Sequence, residues 1–68
     1  MVKVTRTERE VLLLLREGLN STEAADKKMC SVRTVRWHEM NLREKFKVHS
    51  RTAVLRQAEL LGVFDDDY

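Results

Sequence analysis

The stretch NSTEAADKKMCSVRTVRWHEMNLREKF, residues 20–46, decides the fold. Asn20 has the chemistry of a helix N-cap, and Glu23 three positions on can reach back to the cap's own amide. The spacing predicts a short helix over about Ser21 to Lys28, in which Ala24 and Ala25 permit close approach of a neighbour. Met29-Cys30 reads as a tight connection. Ser31 then caps a longer helix running to about Phe46. At about 100° per residue, Val35, Leu42 and Phe46 fall within a ~40° sector, which is the core side. Arg33, Arg36, Trp37 and Met40 cluster opposite, with Glu44 and Lys47 beyond them. A short helix, a three-residue turn and a longer helix with such an outer face make the helix-turn-helix plan.

The flanking segments complete a bundle. Thr5 with Glu8 forms a capping box, and Thr7 with Glu10 offers the same arrangement two residues later. Val11, Leu12, Leu14 and Leu15 give the first helix an apolar face, and Gly18 ends it. Leu13 points away from that face, as an exposed leucine or as a contact for a partner. After a break at Lys47-Val48-His49, Ser50 caps a fourth helix in which Val54, Leu55, Ala58 and Leu61 recur at helical spacing, and Gly62 stops it. Phe64 to Tyr68 should fray, with an acidic tail over 65–68. The expectation is an all-α, four-helix helix-turn-helix domain over 1–68, with helices at approximately 6–17, 21–28, 32–46 and 51–61.

Composition narrows the function. The 68 residues make one domain, without room for a separate catalytic domain or ligand pocket. No stretch of ~18 apolar residues occurs, so no membrane span is expected. The first ten residues lack an apolar signal core, and the lone Cys30 suits a reducing compartment; both point to an intracellular protein. Cys30 itself reads as a small buried hydrophobe in the turn, with redox sensing the alternative. His38, His49 and Cys30 have no paired short spacing, so no metal site is expected; His38 suits a boundary position, bonded to backbone or phosphate. No nucleophile–base pair or glycine-rich phosphate loop occurs, so neither an enzyme nor a cofactor is expected.

The net charge of +2 hides an asymmetry. From Lys27 to Arg56 nine basic residues face only Glu39 and Glu44, a net +7, while acid gathers at Asp65-Asp66-Asp67. The split is either a solvated surface or the footprint of a polyanion partner. A Trp and a Met on the same outer face favour the second. Arginine can bridge guanine O6 and N7, Trp37 and Met40 can pack on thymine methyls or sugars, and an α-helix fits the major groove. The competing reading has Trp37 folding back onto a neighbouring helix.

Several segments together resemble the DNA-binding domain of the LuxR/GerE (NarL-type) transcription factors: Thr5-x-x-Glu8-Arg9-Glu10-Val11-Leu12, Glu17-Gly18-Leu19, Glu23-x-Ala25, Ser31-x-x-Thr34-Val35-Arg36-x-His38, and Lys45-x-x-Val48 followed by Arg51-Thr52. The resemblance covers roughly Val4 to Val63. It implies four helices, the second and third forming the helix-turn-helix and the fourth supplying a dimer contact through Val54, Leu55, Ala58 and Leu61, some of which must close the core. By resemblance Arg36, Trp37 and Met40 face bases, Thr22, Ser31, Arg33 and Thr34 touch backbone or neighbouring groups, and Lys45 lies near the phosphates. The implied partners are double-stranded DNA, a second copy of the chain, and RNA polymerase or a larger regulator, in the cytoplasm at the nucleoid. The alternative is a small interaction protein that pairs with a larger regulator and blocks it; a promoter-binding fragment like the last region of a sigma factor shares the same plan. Four positions depart from the family pattern. It usually has a large aliphatic at Ala24, a leucine at Lys28 and an aliphatic at Cys30, so Lys28 either snorkels from the core's edge or yields its place to Met29. It often has glycine at Lys47, where the helix must run on or take a left-handed turn.

Overall fold

The computed structural model describes residues 3–66, arranged as α1 (Arg6–Arg16), α2 (Ser21–Lys28), α3 (Val32–Phe46) and α4 (Arg51–Leu60). No strand occurs among the described residues. Each helix begins where a short polar side chain can satisfy an orphan amide. The Thr5 hydroxyl accepts from the Glu8 amide at 3.2 Å while the Glu8 carboxylate accepts from the Thr5 amide at 2.9 Å. Asn20 and Glu23 repeat this reciprocal box at 2.8 and 3.0 Å. Ser31 and Ser50 cap α3 and α4, each hydroxyl accepting an amide at 3.1 Å. Thr5 therefore starts α1, and the Thr7–Glu10 alternative is not used.

The core is a pair of adjoining clusters. One gathers Val4, Leu12, Leu42, Val54, Ala58 and Val63; the other gathers Val11, Leu15, Ala24, Ala25 and Val35. Leu55 packs against both. Ala24 is fully buried, so the small side chain at this position brings α2 close to its neighbours. Leu13 is half-buried and belongs to neither cluster.

The departures noted in the sequence resolve in the turns. Lys28 keeps its place at the core's edge and snorkels, its ammonium 2.6 Å from the Glu10 carboxylate. Met29 does not replace it: Met29 caps α2 in the left-handed region (φ 59°) and is 92% exposed. Lys47 also takes the left-handed conformation, with φ 57°, so α3 stops there rather than running on. Cys30 is half-buried and packs against the second cluster.

Two expectations need correction. Phe64 does not fray: Val63 is fully buried, Phe64 packs on the first cluster, and the Arg16 guanidinium lies 4.7 Å from the Phe64 ring centroid. Arg9 holds the same turn, donating from Nε to the Val63 carbonyl at 2.7 Å and from Nη2 to the Asp65 carbonyl at 3.2 Å. Asp67 and Tyr68, the end of the expected acidic tail, lie outside the described residues. The second correction concerns α4. Val54 and Ala58 are buried within the domain, so they have no surface to offer a second copy. The large apolar side chains that α4 and its cap expose are Leu60 at 72% and Leu61 at 46%.

Candidate nucleic-acid interface

Helix α3 presents two faces because its apolar residues recur at helical spacing. Val35 and Leu42 are fully buried and Phe46 packs against the first cluster, which turns that side of the helix inward. Arg33 and Arg36 are consequently exposed on the other side, with Trp37 at 56% and Met40 at 44% exposure. Trp37 does not fold back onto another helix. Its ring stands edge to face with His38 of its own helix, with centroids 5.1 Å apart at 64°. His38 is half-buried there, and both rings line an open cleft of about 520 Å³ with Thr5, Glu8, Asn41, Glu44 and Lys45.

The remaining expected contacts lie around the start of the helix-turn-helix. Thr22 is exposed in the first turn of α2. Ser31 and Thr34 are exposed, and their hydroxyls share a hydrogen bond at 2.9 Å beside the cap of α3. Ser31 Oγ also accepts the Thr34 amide, yet retains acceptor capacity toward solvent. Lys45 differs from the rest. Its ammonium donates to the Glu8 carboxylate at 2.6 Å and to the Lys3 carbonyl at 3.1 Å, so it holds the entry to α1 against α3. Burial opposes ionisation of Glu8, but the Lys45 hydrogen bond, the Thr5 amide and the Lys45 charge outweigh it and hold the carboxyl below its ordinary range. The Glu10 carboxyl is lowered as well, by its hydrogen bond to Lys28 and then by the charge of that lysine.

The electrostatic surface is thus more selective than the charge count. Of the nine basic residues between Lys27 and Arg56, three are committed internally: Lys28 to Glu10, Lys45 to Glu8 and Arg51 to Glu39. On α3, Arg33, Arg36, Arg43 and Lys47 take part in no ion pair among the described residues. Free guanidinium groups beside an exposed indole suit a surface that carries phosphates and planar base edges. Among the described residues no three His, Cys, Asp or Glu side chains come together as a metal site, and no helix is long and apolar enough to cross a membrane.

One buried polar contact was not legible in the sequence. Glu39 is only 7% exposed. It falls in the apolar sector of α3, four residues after Val35, and that position was the available signal. Its partners, Ser21 on α2 and Arg51 on α4, lie on other helices and leave no local trace.

The profile of the family described as bacterial regulatory proteins, luxR family, matches residues 2–58. The chain belongs to the LuxR family. This is the family the motifs resembled, and its members are DNA-binding regulators rather than enzymes. The chain is also 33% identical over 61 residues to the uncharacterized response regulatory protein YgeK of Escherichia coli (strain K12). That alignment covers 90% of this LuxR-family chain and 42% of the relative, so the chain spans less than half of the length of the relative.

Proposed function

We propose that the domain is a sequence-specific reader of double-stranded DNA that regulates transcription with α3 in the major groove. Arg36, Trp37 and Met40 contact base edges. Thr22, Ser31, Arg33 and Thr34 hold the phosphodiester backbone, and Lys45 reaches a phosphate by sharing its ammonium with Glu8. The observation that carries this reading is the outer face of α3, where unpaired guanidinium groups flank an exposed Trp and Met. The domain acts as a homodimer through the end of α4, where Leu60 and Leu61 are exposed. It works in the cytoplasm at the nucleoid, with RNA polymerase or a larger regulator as its protein partner.

Selection from a random duplex pool tests the reading. The expected result is an enriched motif of two half-sites in inverted or direct repeat. Affinity for the enriched duplex should fall steeply with salt. If Arg33, Arg43, Lys45 and Lys47 each neutralise one phosphate, the logarithmic slope is about −3 to −4 per domain. Absence of duplex affinity even at low salt overturns the proposal and favours the alternative of a small interaction protein that blocks a larger regulator.

A further inference from the structure

We propose that Glu39, Arg51 and Ser21 form a positioning latch that sets the rotation of α3 for base readout; the inference rests on the DNA-binding reading above. The Arg51 guanidinium, at the first residue of α4, donates to Glu39 Oε1 from Nε at 3.1 Å and from Nη2 at 2.9 Å. The same Nη2 donates to Ser21 Oγ at 3.1 Å, and Nη1 donates to the Leu19 carbonyl at 3.0 Å. Ser21 Oγ in turn donates to Glu39 Oε2 at 2.8 Å. One planar group thereby ties together the α1–α2 connection, the first residue of α2, the middle of α3 and the start of α4. No buried side-chain polar atom among the described residues lacks a partner.

The chemistry of the latch differs from that of the packing around it. Hydrophobic burial is non-directional: it decides which face of α3 turns inward but aims no individual side chain. Two guanidinium donors converging on Glu39 Oε1, with the Ser21 hydroxyl on Oε2, hold the carboxylate at both oxygens and so fix its position and orientation. Glu39 lies three residues after Arg36, two after Trp37 and one before Met40, so the latch acts on the turn of helix that carries the base-facing side chains. Side-chain tips lie ~6 Å from a helix axis, so a rotation of about 10° moves them by ~1 Å. That displacement exceeds the ~0.5 Å width of the distance range for a good hydrogen bond to a base edge. Phosphate contacts by flexible Lys and Arg tolerate it. Loss of the latch should therefore reduce discrimination between sequences far more than it reduces affinity for duplex as such.

The alternative is an ion pair that merely holds the fold, and the experiment separates the two. Replacing both charges together, Glu39→Leu with Arg51→Met, removes the latch without leaving a buried charge unpaired, and such exchanges are often neutral for stability. The expected result is unchanged helix content and a melting temperature at or near wild type. The ratio of affinities for the enriched and a scrambled duplex should fall at least about tenfold, with the salt slope on the scrambled duplex unaltered. Arg51→Lys is the second variant: it keeps the charge, but an ammonium cannot reproduce the planar fork. It should show the same selective loss and carries the test if the double variant fails to fold. Discrimination retained in a folded variant, or equal losses on both duplexes, overturns the latch. A wild-type protein that binds duplex without discrimination overturns the sequence-reading proposal and the latch together.

Discussion

At the scale of single residues, Arg36 is the side chain on which readout should depend most. It is exposed and in no ion pair among the described residues, so its removal disturbs neither core nor network. Arg36→Ala should weaken binding to the enriched duplex by about 1–3 kcal/mol and relax preference at one base position. An unchanged profile on the random pool would remove Arg36 from the base-contacting set. Glu8 gives a second residue-scale prediction. Its carboxyl titrates lower in the folded chain than in the unfolded one. The unfolded chain therefore binds the extra proton first as the pH falls, and the stabilisation present above about pH 4.3 is lost through and below that range. Melting curves from pH 6 to pH 3 should show a smaller acid-side decline for Glu8→Gln than for wild type. Outward-facing Arg33, Arg36, Trp37 and Met40 were legible because amphipathic spacing depends on one helix alone. Glu39, Arg51 and the Lys45–Glu8 contact were not, because each pairs side chains from different helices.

Helices were the most legible level, because capping is a local code. Thr5 with Glu8, Asn20 with Glu23, Ser31 and Ser50 mark four starts within three residues of sequence each, and all four caps form. Ends are harder where a left-handed residue is not glycine. Met29 and Lys47 both adopt that conformation; Met29 carries no sequence signal for it, and Lys47 only the glycine frequent at that position in the family pattern. Lys47→Gly should relieve a conformation that costs a side-chain-bearing residue roughly 1–2 kcal/mol, partly offset by the entropy of glycine in the unfolded chain. The net gain of up to about 1 kcal/mol should raise the melting temperature by a few degrees. The same change should make the salt slope shallower by about 1 if Lys47 meets a phosphate. A lower melting temperature would show that Lys47 bears no strain. The faces of α4 were the least legible, because Val54, Leu55, Ala58 and Leu61 share one stripe and only packing sorts the core residues from the exposed ones.

For the whole molecule, segregation of charge could be read from the chain, but its effective size could not. Internal pairing engages Lys28, Lys45 and Arg51, while Arg33, Arg36 and Arg43 on α3 and Lys47 at its cap stay out of any ion pair among the described residues. Assembly belongs to this scale too. With Val54 and Ala58 buried inside, the large apolar side chains that α4 exposes lie near its end, at Leu60 and Leu61. Leu61→Glu should reduce self-association in sedimentation at high concentration without altering helix content. A monomer for both proteins, free and on DNA, would end the dimer proposal. The two core clusters meet through Leu55, which touches both. A side chain shared in this way couples the two clusters, since opening either one uncovers Leu55. Native-state amide exchange should therefore report one opening free energy for α2 and α4 in the wild type, and Leu55→Ala should split it into two, the α2 amides exchanging first.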